Sequence, residues 1–343
     1  MEDIQSPPVT PKRVIIISSL SIILLLIVAT VSLILGTAHI PFNKLLLLIK
    51  GRLGSNDPAY LIVFKIRLPR ILLGGMTGYT LSLGGVVFQA LLRNPLAEPF
   101  ILGTSSGAAL GAVIAIVLGM GYAVGVPLMA FGGAVFTLSL VIVFGKRGAG
   151  VESSTILLSG VIINAFFTAV IMFFIATSTH TLLHNMLYWL YGDLSQSRFE
   201  AINIIFIPLV ICSIVLYGLS THYNLITAGE EEALHMGVEV EKVKIISIVV
   251  VSLMVGTVVS FSGIIGFVGL IVPHLSRMLV GSDHRVLIPV SAIGGAAFLI
   301  ASDTLARLII SPSELPVGVV TAFLGAPFFI YLLRKRGSRW IES

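Results

Sequence analysis

An uncharged run from residue 14 to residue 35, followed by others of similar length along the chain, limits the possible folds more than any other feature. A helix needs about 20 consecutive apolar residues to cross the hydrocarbon core of a bilayer. Over 343 residues, 56% are hydrophobic and 11% charged, against roughly 25% charged in soluble domains. A soluble chain of this size buries only about three-quarters of its unfolded surface, so these residues cannot cover a water-facing exterior and lipid is the solvent. Lys12 and Arg13 ahead of the first run resemble a secretory signal. The run is too long for one, since signal cores extend about 7–15 residues. It reads as a first retained span behind a short tail, residues 1–13.

Divided at charges and at Gly or Pro turns, the chain gives spans at residues 14–35, 71–92, 100–118, 122–144, 153–177, 201–220, 245–261, 264–280, 286–308 and 315–333. Two divisions rest on turn residues alone, Gly119-Met120-Gly121 and Ser262-Gly263. An even count puts both ends on one side, and Arg334-Lys335-Arg336 with Arg339 marks that side as cytoplasmic. Arg93, Lys146, Arg147, Lys242, Lys244, Arg277 and Arg285 then face inward. Lys44, Lys50, Arg52, Lys65, Arg67 and Arg70 break the rule, falling in an outer loop between the first and second spans. They either solvate that loop and snorkel to headgroups, or steer an acidic partner. On the docking reading, charge reversal at Arg67 or Arg70 weakens docking and leaves folding intact.

Small residues four apart allow close helix approach in lipid, as at Gly74 and Gly78 and at Gly103, Gly107 and Gly111. Asp303 and Arg307 share one helical face and form either an interfacial ion pair or a functional intramembrane charge. His180 and His184, four apart in an outer loop, could hold a metal only if that loop were helical. The single Cys212 excludes a disulfide framework. No Walker loop ending Gly-Lys-Ser/Thr occurs, so ATP hydrolysis by that route is excluded. The positive balance does not form a basic face and gives no reason to expect nucleic acid. Between the sixth and seventh spans, residues 221–244 form the longest polar inner segment. Gly229, Glu230, Glu231 and Glu232 open a short helix, Ala233, Leu234 and Met236 follow, and Gly237 stops it. Membrane-surface helices are usually basic; this acidic one suits a protein partner.

Three blocks carry a family resemblance. They are Arg67-Leu68-Pro69-Arg70 with residues 89–99 (Gln-Ala-Leu-Leu-Arg-Asn-Pro-Leu-Ala-Glu-Pro) and Gly103; residues 263–274 with Asp283-His284-Arg285; and residues 303–307 with Glu314-Leu315-Pro316-Val317-Gly318 and Gly325-Ala326-Pro327. In this order they resemble the permease subunits of type II ATP-binding-cassette importers for iron-siderophores, haem and vitamin B12. The resemblance implies an all-α membrane protein with ten transmembrane helices in a single domain, residues 14–334, both termini cytoplasmic, and tails at 1–13 and 335–343. It implies a homodimer in a bacterial or archaeal inner membrane, with two ATPase subunits beneath and an extracytoplasmic substrate-binding protein above. Arg67, Arg70 and Arg307 match positions that dock the binding protein, Asn94 and Leu96 match a cytoplasmic gate, and Gly229, Glu230, Glu231, Ala233, Leu234 and Gly237 match the helix coupled to the ATPase. No cofactor or metal is expected on this chain; ATP and Mg belong to the ATPase. The expected activity is ATP-driven import of a bulky metal chelate, iron-siderophore first and haem or vitamin B12 next, by alternating access. The rival reading, an ion-coupled secondary transporter, requires coupling-ion ligands near mid-bilayer, and none stands out.

Overall fold

In hydrocarbon every backbone N–H and C=O must be satisfied within the protein, which turns apolar runs into helices. The computed structural model describes residues 10–38, 40–49, 54, 56–147, 150–151 and 153–336, and it is helical almost throughout. Both expected tails lie mostly outside the described residues, as do Lys50, Arg52 and Arg339.

The chain begins with α1 (Pro11–Ile34), α2 (Phe42–Ile49) and α3 (Pro58–Tyr60), which runs through a π-helical segment, Leu61–Arg67, into α4 (Leu68–Leu91). A 3-10 turn, Pro99–Leu102, precedes α5 (Thr104–Val117) and α6 (Gly125–Gly145). A two-residue antiparallel pair, β1 (Lys146–Arg147) with β2 (Gly150–Val151), leads to α7 (Ser153–Thr177), α8 (His180–Leu190) and α9 (Phe199–Gly218). The remainder comprises α10 (Ser220–Ala228), α11 (Glu230–His235), α12 (Val240–Ser262), α13 (Val268–Val280), α14 (His284–Leu308) and α15 (Val317–Arg336).

Among the described residues, seven helices are long and apolar enough to cross a membrane, and three more apolar helices are shorter: Thr104–Val117, Val268–Val280 and Val317–Tyr331. Those three correct the expected spans at 100–118, 264–280 and 315–333, each of which starts later than its apolar run. Gly103 (φ 74) and Phe267 (φ 69) adopt left-handed backbone that ends regular winding, and Pro316 precedes the third. The turns expected at Gly119-Met120-Gly121 and Ser262-Gly263 are where helices end, with Gly119 and Gly263 both at positive φ. The span expected from residue 71 instead belongs to a continuous helix, Pro58–Leu91, of 34 residues. Lys65, Arg67 and Arg70 are therefore helical and do not lie in a loop. Charge was the wrong stop signal there, because two of these arginines find partners inside the protein.

The centre is built from α4 and α14, of whose apolar windows 78% and 72% are buried, whereas none of that of α1 is. Composition explains the sorting. Small residues on α4 and α14 let backbones touch: a Cβ on Gly78 would lie 2.2 Å from the Gly295 carbonyl oxygen. Gly107 and Gly111 meet α6 in the same way, at Gly133 and Met129. Ile and Leu cover all sides of α1, which suits a lipid-facing helix.

Where helices break within the bundle, the freed backbone is bonded across chain segments. Asp193 N–H donates to the Ser262 carbonyl at 2.9 Å, Val317 N–H to Gly192 and Gly318 N–H to Tyr191, both at 3.1 Å. Phe267 N–H donates to Glu98 Oε1 at 2.7 Å, placing a carboxylate at the positive N-terminal end of α13.

Candidate functional site

The candidate residues gather at the two ends of α4, roughly 36 Å apart at 1.5 Å per residue. At the first end three arginines meet two carboxylates. Arg70 Nε lies 3.0 Å from both Asp303 oxygens, and Arg70 also pairs with Glu314 at 2.5 Å. Arg307 Nε is 3.2 Å from Asp303 Oδ2, while its Nη2 donates to Ser32 Oγ at 2.9 Å. Arg67 has a different role. Its guanidinium donates to the carbonyls of Leu33 and Ile34, both at 2.8 Å, and of Ala38. It thereby satisfies carbonyls left open at the C-terminus of α1, where a cation also suits the helix dipole.

This corrects the picture of a solvated cationic rim. Side-chain exposure is 7% for Arg70, 4% for Arg307 and 3% for Asp303, against 34% for Glu314, and Arg67 is buried too. Removing Asp303 or reversing Arg70 or Arg307 leaves uncompensated buried charge, so folding cannot be indifferent to it. Of the other cations in that segment, Lys44 pairs with Asp57 at 3.4 Å and Lys65 is exposed. The Asp303–Arg307 pairing expected from the four-residue spacing is present; Glu314 as a third member was not legible from spacing. His180 and His184 are helical after all, on α8, yet no group of three metal-ligating side chains forms among the described residues. His184 instead stacks against Tyr188, ring centroids 4.3 Å apart. That helix helps line a cavity of about 240 Å³ with Tyr122, Tyr188, Trp189, Asp193 and Phe261. Burial, reinforced by Asp193, raises the Tyr122 phenol above its ordinary pKa.

At the second end the chain turns after α4. Asn94 N–H donates to the Gln89 carbonyl at 3.2 Å, and Asn94 Oδ1 accepts from Leu96 N–H at 2.9 Å. This side-chain turn holds the exposed Leu96 at the tip of the loop. Beside it stands α10, which leads into α11. Gly229 at φ 167 is extended, Glu230, Glu231 and Glu232 occupy the first turn of α11, and Gly237 at φ 82 closes it as expected. Ala233 is buried beneath, while Leu234 and Met236 are 57% and 67% exposed. Lys244 Nζ bonds both Glu230 oxygens at 2.7 Å and ties α11 to α12. The short helix is thus pinned at its base and presents apolar side chains outward. Nearby, Asp283 caps α14 by accepting from Arg285 N–H at 2.9 Å. Hydrogen bonding from the Arg285 side chain holds the Asp283 carboxyl down to about 2.

Residues 24–335 match the FecCD transport family. The chain belongs to that family. As an ABC transporter permease it is 45% identical over 286 residues to the cobalamin import permease BtuC of Halobacterium salinarum, covering 83% of this chain and 77% of that protein. It is 36% identical to the hemin transport permease HmuU of Yersinia pestis, covering 93% and 95%. It is 35% identical to the molybdate import permease MolB of Haemophilus influenzae, covering 92% and 95%. A solved metal-chelate type ABC transporter, in an inward-facing conformation, superposes with a TM-score of 0.81 at 33% identity, covering 94% of this chain and 99% of that one.

Proposed function

We propose that this permease forms the membrane path of an importer for a bulky metal chelate, powered by partner ATPase subunits. The observation that carries the reading is α11: a helix anchored by Glu230–Lys244 that exposes Leu234 and Met236 is built to seat in another protein's cleft. In this reading the seven long and three short apolar helices make ten crossings, both termini lie in the cytoplasm, and two copies enclose the path in a bacterial or archaeal inner membrane. ATP and Mg bind the two ATPase subunits. Their closure moves α11, the helices rock, and access alternates, with Asn94 and Leu96 closing the cytoplasmic end.

Docking of a substrate-binding protein belongs at the opposite end. Three guanidiniums against two carboxylates leave that cluster net positive, and complementary charge guides encounter. Glu314, the most exposed member, marks where a partner's carboxylate would exchange onto Arg70; Arg67 and Arg307 hold the site from beneath. Cobalamin, haem and iron-siderophores are the cargoes to test, cobalamin first because the relative 45% identical carries that name. The test is uptake into proteoliposomes reconstituted with the neighbouring ATPase and binding protein. Uptake that requires ATP and is lost in Leu234→Asp supports the reading. Uptake driven by an ion gradient without the ATPase overturns it.

A further inference from the structure

A cavity of about 560 Å³ opens beside the Asn94 turn, lined among others by Gln89, Arg93, Thr227, His274, Arg277 and His284. It is far larger than the roughly 10–15 Å³ one water needs. No carboxylate lines it among the described residues. The nearest acid in sequence, Asp283, is held by Arg285 and Asn224. Two guanidiniums and two imidazoles therefore face one space without an acidic residue in its wall.

Three side chains shape this wall. Arg93 follows α4 in the left-handed backbone (φ 47) that commonly caps a helix C-terminus, closed here by Asn94 N–H donating to the Gln89 carbonyl. Arg277 is fixed by donating from Nη2 to Gln89 Oε1 at 3.1 Å. His284 is 3% exposed, and its Nδ1 lies 2.7 Å from Asn224 Oδ1, an oxygen that also accepts from the His284 N–H. Because the Asn224 amide N–H donates to Asp283, the oxygen faces the ring and Nδ1 donates to it. Nε2 then carries a bare lone pair, buried and without a hydrogen-bond partner. A buried acceptor of this kind calls for a donor.

We infer that this cavity binds an oxyanion that keeps one O–H group, as a phosphate monoester or hydrogenphosphate does. The ionised oxygens take Arg93 and Arg277, where charge-assisted bonds are strongest, and the P–OH donates to His284 Nε2. A free phosphate compound supplies that O–H; a lipid phosphodiester has none and would use the arginines alone.

The probe is inorganic phosphate, titrated at pH 7 and constant ionic strength into the permease in phosphatidylcholine nanodiscs and read by line broadening of its own phosphorus resonance. Saturable binding is expected. Arg277→Gln should weaken it about tenfold, the usual worth of a hydrogen bond to a charged group. Arg93→Gln should weaken it too and, being an exposed substitution, keeps the test alive if Arg277→Gln misfolds. Sulfate, with no proton to donate, should compete more weakly. Discs containing phosphatidylglycerol set a phosphodiester headgroup against the free anion: an unchanged phosphate response supports a site that requires the O–H, and loss of the response overturns that requirement. Broadening that does not saturate, or that is the same in wild type and Arg93→Gln, overturns the site; equal binding of sulfate overturns the role of His284.

Discussion

Asp303→Asn is the sharpest perturbation the fold offers. The substitution keeps the side-chain shape and removes one negative charge shared by Arg70 and Arg307, whose side chains are 7% and 4% exposed. Breaking a buried ion pair costs about 3–5 kcal/mol, because the surviving charge is stranded away from water. Arg70 retains Glu314 and Arg307 retains Ser32, so the loss should fall near the lower bound, about 3 kcal/mol. Equilibrium unfolding in mixed micelles by titration with denaturing detergent measures it. Pairing the variant with Arg70→Met closes a double-mutant cycle, and groups in one network should couple by about 0.5–3 kcal/mol. A loss below about 1 kcal/mol, the value typical of exposed pairs, would refute the claim that this cluster is buried and fastens α1, α4 and α14 together.

Gly78→Ala should destabilise by about 1–3 kcal/mol through overpacking, since its Cβ would meet the Gly295 carbonyl, while Gly218→Ala, with open space around it, should leave the unfolding midpoint unchanged. Leu234→Asp should abolish stimulation of the partner ATPase by the permease without lowering stability, because the side chain is already solvent-exposed; a variant that unfolds would contradict that placement. Asp283 supplies the pH dependence. Its folded pKa, about 2, lies below the ordinary 3.8, so its contribution is full above pH 3.8 and fades as pH falls toward 2. Arg285→Gln should therefore flatten the acid limb of stability against pH between 4 and 2, as read by tryptophan fluorescence.

How much of this could be read from the sequence depends on how local each signal is. The short helix between Gly229 and Gly237 was legible because its acidic first turn and glycine stop act within one turn of chain. The Gly78 and Gly107 contacts followed from spacing alone. The late start of α13 did not, because the Phe267 N–H freed there is satisfied by Glu98, 169 residues away. Arg67 and Arg70 were misplaced for the same reason. A charge ends an apolar run when its surroundings are unknown, whereas here Asp303, Glu314 and the carbonyls of α1 absorb it. The buried lone pair of His284 had no sequence signature, since it depends on which way Asn224 points.

The 14 residues of α5 and 13 of α13 also bear on how these helices sit in a bilayer. Each is shorter than the roughly 20 residues a lone crossing needs, so neither can partition into lipid as an independent stop. The Gly107–Gly133 seam makes α5 one arm of a hairpin with α6, and α13 relies in the same way on α4, against which Gly85 and Gly269 close. Each of these short segments is therefore completed in the bilayer only by the neighbour packed against it.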